Sequence, residues 1–136
     1  MSDNWRIQAG NKSELQKIFT PAEVKAFGEN IMDFNPIHFD AVYAAQTQFG
    51  KPIVHGIYVS GLISGILGSS LPGEGTIYMS QTLKFVRPVF VGEEVTAVVE
   101  VLTVREDKPI AKLKTTCYNA SGETVVEGEA LVKFRP

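Results

Sequence analysis

From about His55 to Leu67 the chain reads HGIYVSGLISGIL, in which Ile57, Tyr58, Leu62, Ile63, Ile66 and Leu67 make a helix apolar on most of its sides. A helix of that kind needs cover all round, so it is expected at the centre of the fold. Gly56, Gly61, Gly65 and Gly68 each lower its helix propensity relative to alanine. They are expected to mark close backbone approach to a sheet or a ligand. The stretch is broken by His55 and by Gly and Ser residues, and it falls short of the roughly 20 mainly apolar residues of a membrane span.

The cover comes from the second half of the chain. TIYMSQTLKFV, EEVTAVVEVLTVRE, IAKLKTTCYNA and ETVVEGEALVKF are rich in β-branched residues and largely alternate, with EDKP and NASGE as turn clusters between them. A helix-rich half followed by consecutive strands is an α+β pattern. The economical packing is a curved, mainly antiparallel sheet wrapped around the long central helix, with one earlier strand near Leu15–Phe19.

The first half is helical and punctuated. In TPAEVKAF, Thr20 is a good N-cap, Pro21 suits the first helical position and Glu23 completes a capping box. Val24, Phe27 and Ile31 follow at helical spacing, which predicts a helix from about Pro21 to Met32 that stops before Pro36. DAVYAAQTQFG reads as a short helix capped by Asp40 and ending near Gly50. No repeat divides the 136 residues, so a single domain over 1–136 is expected.

A net charge of -2 with no basic run argues against nucleic acid and against a membrane surface as partners. Cys117 is the only cysteine, which excludes an internal disulfide and a cysteine-based zinc site. The opening MSDNWRIQAGNK is polar and lacks the apolar core of a secretory signal. A cytoplasmic setting is the expectation.

Chemistry concentrates in DFNPIH, Asp33 to His38. Two readings stand: an Asx-Pro turn whose aspartate caps backbone amides, or a carboxylate and an imidazole fixed by a rigid loop for proton exchange near neutrality. A two-histidine, one-carboxylate metal triad from His38, Asp40 and His55 is disfavoured, because all three precede the main strands. His55 itself reads as a buried histidine hydrogen-bonded at a helix start. Gly56 falls in the first helical turn, where N–H groups lack intrahelical partners, and is a candidate oxyanion donor. Ser60 and Ser64 lack a nucleophile setting and by default bond back to a carbonyl one turn earlier. Gly73-Glu-Gly75 lacks the lysine and spacing of a phosphate loop, and Lys51, Lys84 and Arg87 read first as solvated surface.

Taken together, DFNPIHFDAVYAAQTQFGKPIVHG, the Ser64-containing helix and LKFVRPVFVGEEV resemble the MaoC-like hydratases. Within that family they look closest to the (R)-specific enoyl-CoA hydratases that feed polyhydroxyalkanoate synthesis. The likeness runs from about Pro21 to the C-terminus. It implies the hot-dog fold and a homodimer with acyl-CoA sites near the subunit interface. It also implies Asp33 and His38 as the catalytic pair, Gly56 as the oxyanion amide and Ser64 as a supporting residue. One departure is Ile31, where the family commonly has a small residue, and it is expected to alter packing behind the loop.

The implied reaction is reversible addition of water to a trans-2-enoyl-CoA, giving an (R)-3-hydroxyacyl-CoA. Ile63, Ile66 and Leu67 are then candidates for an acyl tunnel, and Lys84 and Arg87 for the CoA phosphates. No net redox change occurs, so neither a metal nor any other cofactor is expected; CoA belongs to the substrate. The same site run in reverse is a 3-hydroxyacyl-thioester dehydratase acting on a carrier protein. A hot-dog thioesterase would need a carboxylate on the central helix, which is missing. A non-catalytic acyl-thioester-binding module would have no use for the Asp33–His38 pair.

Overall fold

The computed structural model describes residues 5–136, so the first four residues of the polar opening stretch lie outside it. The order is β1 (Lys12–Ile18), α1 (Pro21–Ile31), a 3-10 turn over Pro36–His38, α2 (Ala41–Ala45) and α3 (Gly56–Ser69). Then come β2 (Ile77–Gln81), β3 (Lys84–Phe85), β4 (Glu94–Val104), β5 (Ile110–Tyr118) and β6 (Thr124–Lys133). The six strands form one antiparallel sheet in the order β1-β4-β5-β6-β2, with β3 also on β6. It carries α3 on its concave side, the α+β hot-dog arrangement expected from the sequence.

Alternation explains the packing. Val95, Ala97, Val99 and Val101 of β4 point inward and are essentially solvent-free, as are Leu113 and Cys117 of β5 and Val125 and Val132 of β6. They meet Val59, Ile63, Ile66 and Leu67 of α3 in one core. Burying each such aliphatic side chain is worth roughly 1.5–3 kcal/mol. Among the described residues no helix is long and apolar enough to cross a membrane.

The cover of α3 departs from expectation. Ile57, Gly61, Ser64, Gly65 and Gly68 share one helix face, and that face is exposed. The sheet wraps only one side, and small residues leave the other bare. Gly61 and Gly68 look onto open space, and a Cβ on Gly65 would touch only Leu15 of β1 at an ordinary 3.5 Å. Close approach is the reason for glycine at Gly56 alone among the four, where a Cβ would lie 2.7 Å from the Phe85 ring.

TIYMSQTLKFV is two strands, not one. The chain bulges between Tyr78 and Ser80, and Thr82 donates its N–H to Glu129 of β6 at 2.9 Å. There the backbone of Thr82 presses so closely on Gly128 that any Cβ on residue 128 would overlap its carbonyl oxygen. The short α2 is capped by Asp40, as expected, but ends at Ala45, with turns carrying the chain to Gly50.

Candidate active site

Three segments converge on Asp33. Helix α1 begins with the full Thr20–Glu23 capping box. The Lys17 ammonium and the Thr20 groups hold the Glu23 carboxyl down at about 2. The helix ends on Met32 in the left-handed conformation (φ 63°), after which the Asp33 N–H returns to the Gly28 carbonyl at 2.9 Å. Gly28 has no room for a side chain: a Cβ would lie 2.5 Å from the Phe39 ring. Ile31 is exposed, so the packing behind the loop falls to Gly28 and Phe39 and not to the residue that departs from the family pattern.

Two consecutive Asx turns follow. Asp33 Oδ1 accepts from the Asn35 N–H (3.1 Å) and Asn35 Oδ1 from the Ile37 N–H (3.3 Å), which sets Pro36–His38 as a 3-10 turn. The Asx-Pro turn reading of DFNPIH is therefore present, and the turn holds Asp33 and His38 on one rigid loop. The loop is clamped to the next segment, since the Ile53 N–H donates to the Ile37 carbonyl and His38 Nδ1–H donates to the Ile53 carbonyl at 2.7 Å. A carbonyl only accepts, so Nδ1 carries the proton and the neutral ring presents Nε2 as a base. That Nε2 faces Asp33 Oδ2 at 4.0 Å.

His55, just before α3, faces the same oxygen. Its Nε2 lies 3.8 Å from Asp33 Oδ2, and its ring stacks on His38 with centroids 3.7 Å apart. Phe27 and Phe39 close the other sides. The imidazole is 2% exposed, and neither ring nitrogen has a hydrogen-bond partner among the described residues. This corrects the expectation of a hydrogen-bonded histidine at a helix start. Burial, helped by the neighbouring His38, pushes its pKa below the ordinary 6.5, with Asp33 pulling partly the other way.

Asp33, His38 and His55 bring their donor atoms within 4.8 Å of one another, so the carboxylate of this cluster is Asp33 and not Asp40, which caps α2. The fit is poor at metal-bond lengths: the two rings stack 23° from parallel with centroids 3.7 Å apart, so an ion about 2.1 Å from both nitrogens would lie well out of each ring plane.

The trio opens on a cavity of about 530 Å³ whose apolar wall includes Val54, Ile57, Val59 and Phe85, with Gly56 and Arg87 on its lining. A second cavity of about 580 Å³ meets it at His38 and is lined by Lys25, Phe34, Phe39 and Pro52. Arg87 already donates to the Thr124 carbonyl (2.7 Å) and lies 3.5 Å from Glu123. Lys84 lines neither cavity, whereas Lys25, not singled out in the sequence, lines the second.

Two further expectations need correction. Ile63, Ile66 and Leu67 are closed in the core beneath the sheet and line neither cavity, because they occupy the inward face of α3. Ser64 sits on the bare face of α3, in a groove of about 450 Å³ with Ile57, Gly61, Tyr78 and Met79. It lies two turns along the helix from Gly56 and is not brought to the Asp33–His38 pair within one chain. Ser60 does bond back to the Ile57 carbonyl at 2.7 Å, as read.

The chain as a whole is similar to known proteins. The profile of the MaoC like domain matches residues 4–123. The (R)-specific enoyl-CoA hydratase of Aeromonas caviae is 53% identical over 128 residues, covering 94% of this chain and 96% of that protein. A 3-hydroxybutyryl-CoA dehydratase of Methylorubrum extorquens is 43% identical, covering 93% and 80%. The solved structure of the A. caviae (R)-hydratase involved in PHA biosynthesis superposes with a TM-score of 0.94 at 52% identity, over 96% of this chain and 98% of that one.

Proposed function

The chain belongs to the MaoC-like domain family, and from that membership we propose that it is an (R)-specific enoyl-CoA hydratase. It adds water reversibly across trans-2-enoyl-CoA to give (R)-3-hydroxyacyl-CoA. The observation that carries the reading is the 2.7 Å contact of His38 Nδ1 with the Ile53 carbonyl, which assigns the proton to Nδ1 and leaves Nε2 facing the Asp33 carboxylate on the lining of an apolar cavity.

A gap of 4.0 Å is too long for a direct hydrogen bond and suits a water between the two groups. As that water attacks C3, His38 Nε2 takes its proton and Asp33 holds the water and then the imidazolium. The alkene electrons move onto the thioester oxygen, where the Gly56 N–H at the start of α3 meets the developing charge. The proton then passes from His38 to C2. Both new bonds form on the face where the pair sits, so addition is syn. Such acid–base help is typically worth 10²–10⁴-fold.

Glycine at residue 56 serves this role through Phe85, whose ring lies over it and walls the cavity. Arg87 on the lining, and Lys25 in the neighbouring cavity, are the cations these two cavities offer to the CoA phosphates. The chemistry requires no resident cofactor. The A. caviae relative supports (R)-3-hydroxyacyl units for polyester synthesis as the product's use. Cys117 is buried, and burial pushes its thiol up to about 12; an inert free thiol fits a cytoplasmic protein.

We also propose a homodimer. Strand β2 exposes Ile77, Tyr78 and Met79 at a sheet edge, and the bare face of α3 lies beside it. A second copy placed there covers both, and Ser64 then belongs to the interface.

Hydration of crotonyl-CoA, followed by loss of the conjugated-thioester absorbance, tests the function. Asp33→Ala and His38→Ala should each lose at least 100-fold in kcat/KM. A wild-type chain inactive on short and medium enoyl-CoAs, yet active on carrier-bound substrates, would reassign it as a carrier-protein dehydratase. Full activity in both variants would remove the pair from the mechanism.

A further inference from the structure

Packing does not explain why residue 55 is a histidine. Its surroundings are the rings of Phe27, Phe39 and His38, and its two nitrogens are buried without partners among the described residues. An unsatisfied buried polar group is destabilising, so an apolar ring would serve packing better. It aims Nε2 at the oxygen that His38 also faces.

We propose that His55 is the third residue holding the attacking water, donating its Nε2–H to the water oxygen. This rests on the hydration reading above. Geometry permits it: the two Nε2 atoms lie 3.8 and 4.0 Å from Asp33 Oδ2, their rings stack with centroids 3.7 Å apart, and one donor atom of each residue lies within 4.8 Å of the other two. A point at a hydrogen-bonding distance of about 2.8 Å from all three atoms therefore exists just off their plane.

The hydrogen-bond inventory also closes. His38 Nε2 is an acceptor, since its Nδ1–H is committed to Ile53, and the carboxylate of Asp33 only accepts. The water thus donates one O–H to each. It still needs a donor to fix its rotation, and neutral His55, held below its ordinary pKa by burial, supplies one N–H. One lone pair remains, and it points to C3. During the reaction one O–H bond breaks toward His38 and the O–C3 bond forms; His55 keeps its proton throughout.

Three variants test this with crotonyl-CoA. Glutamine can carry an N–H as far as Nε2, asparagine only as far as Nδ1, and phenylalanine carries none. His55→Phe and His55→Asn should lose about 100-fold in kcat with KM within threefold, because the water and not the thioester loses a contact. His55→Gln should recover at least tenfold of that loss. Equal activity in the glutamine and asparagine variants, or a loss confined to KM, overturns the assignment, and that comparison stands even if His55→Phe does not fold. A wild-type enzyme inactive on every enoyl thioester is a separate outcome, which overturns the hydration reading and this assignment with it.

Discussion

His55 ties the stability of the molecule to pH through its burial. In the folded chain its pKa is below the ordinary 6.5, first because burial penalises the charged ring and second because His38 lies against it. The unfolded chain takes up a proton near 6.5, and the folded chain does so only at lower pH. Below 6.5 the unfolded state therefore binds more protons, and stability falls as pH drops toward the folded value. His55→Gln, which cannot titrate, should flatten that slope. Urea midpoints compared at pH 7.5 and 5.5 check it: Asp33 and His38 face residue 55 in both proteins, so the difference between the two slopes reports the His55 imidazole together with its coupling to His38. An unchanged slope in the variant would mean that His55 is not held neutral. At this scale Asp33 and His38 were legible in the sequence, because Asx-Pro turn chemistry is local. The burial of His55 at the start of α3 was legible too, but not its place beside the same carboxylate, which it reaches only after α2 and the following turns fold back.

At the scale of elements, α1 positions the site through its two ends. Its C-terminal turn aims Asp33, and its N-terminal capping box fixes where the helix starts. Thr20→Ala removes the side-chain acceptor for the Glu23 N–H, a change that typically costs about 1 kcal/mol. For a chain of this size that corresponds to a loss of roughly 4 °C in Tm by differential scanning calorimetry. Thr20→Ser, which keeps the acceptor, should stay close to wild type; equal losses in both would assign the effect to the lost methyl group. The capping box, the helix starting at Pro21 and the β4–β6 meander could all be read from local residues. The split of β2 from β3 could not. Its cause is Gly128, a residue of β6 that leaves room for the Thr82 backbone, and no periodicity within TIYMSQTLKFV records that.

For the whole molecule, the unsettled element is the bare side of α3. Its apolar pattern announces a covered helix, but a pattern cannot say whether the cover comes from the same chain or from another copy. The sheet edges favour the proposed second copy. Strand β1 ends the sheet at one side with Lys12, Glu14 and Lys17, charges that discourage strand addition. Strand β2, at the other side, has no charge from Ile77 to Gln81 and exposes Ile77 at 60% and Met79 at 49%. A two-fold pairing through the β2 edge is self-complementary and covers the α3 groove in the same step. Light scattering on the eluting protein should give twice the 14.9 kDa of one chain. Ile77→Lys with Met79→Lys places like charges across that axis and should shift the protein to a single-chain mass with its circular dichroism unchanged. Activity should fall with it, because Ile57 of the groove also lines the cavity that opens on Asp33 and His38. A wild-type protein that runs at the mass of one chain and hydrates crotonyl-CoA at full rate would show that the bare face needs no cover.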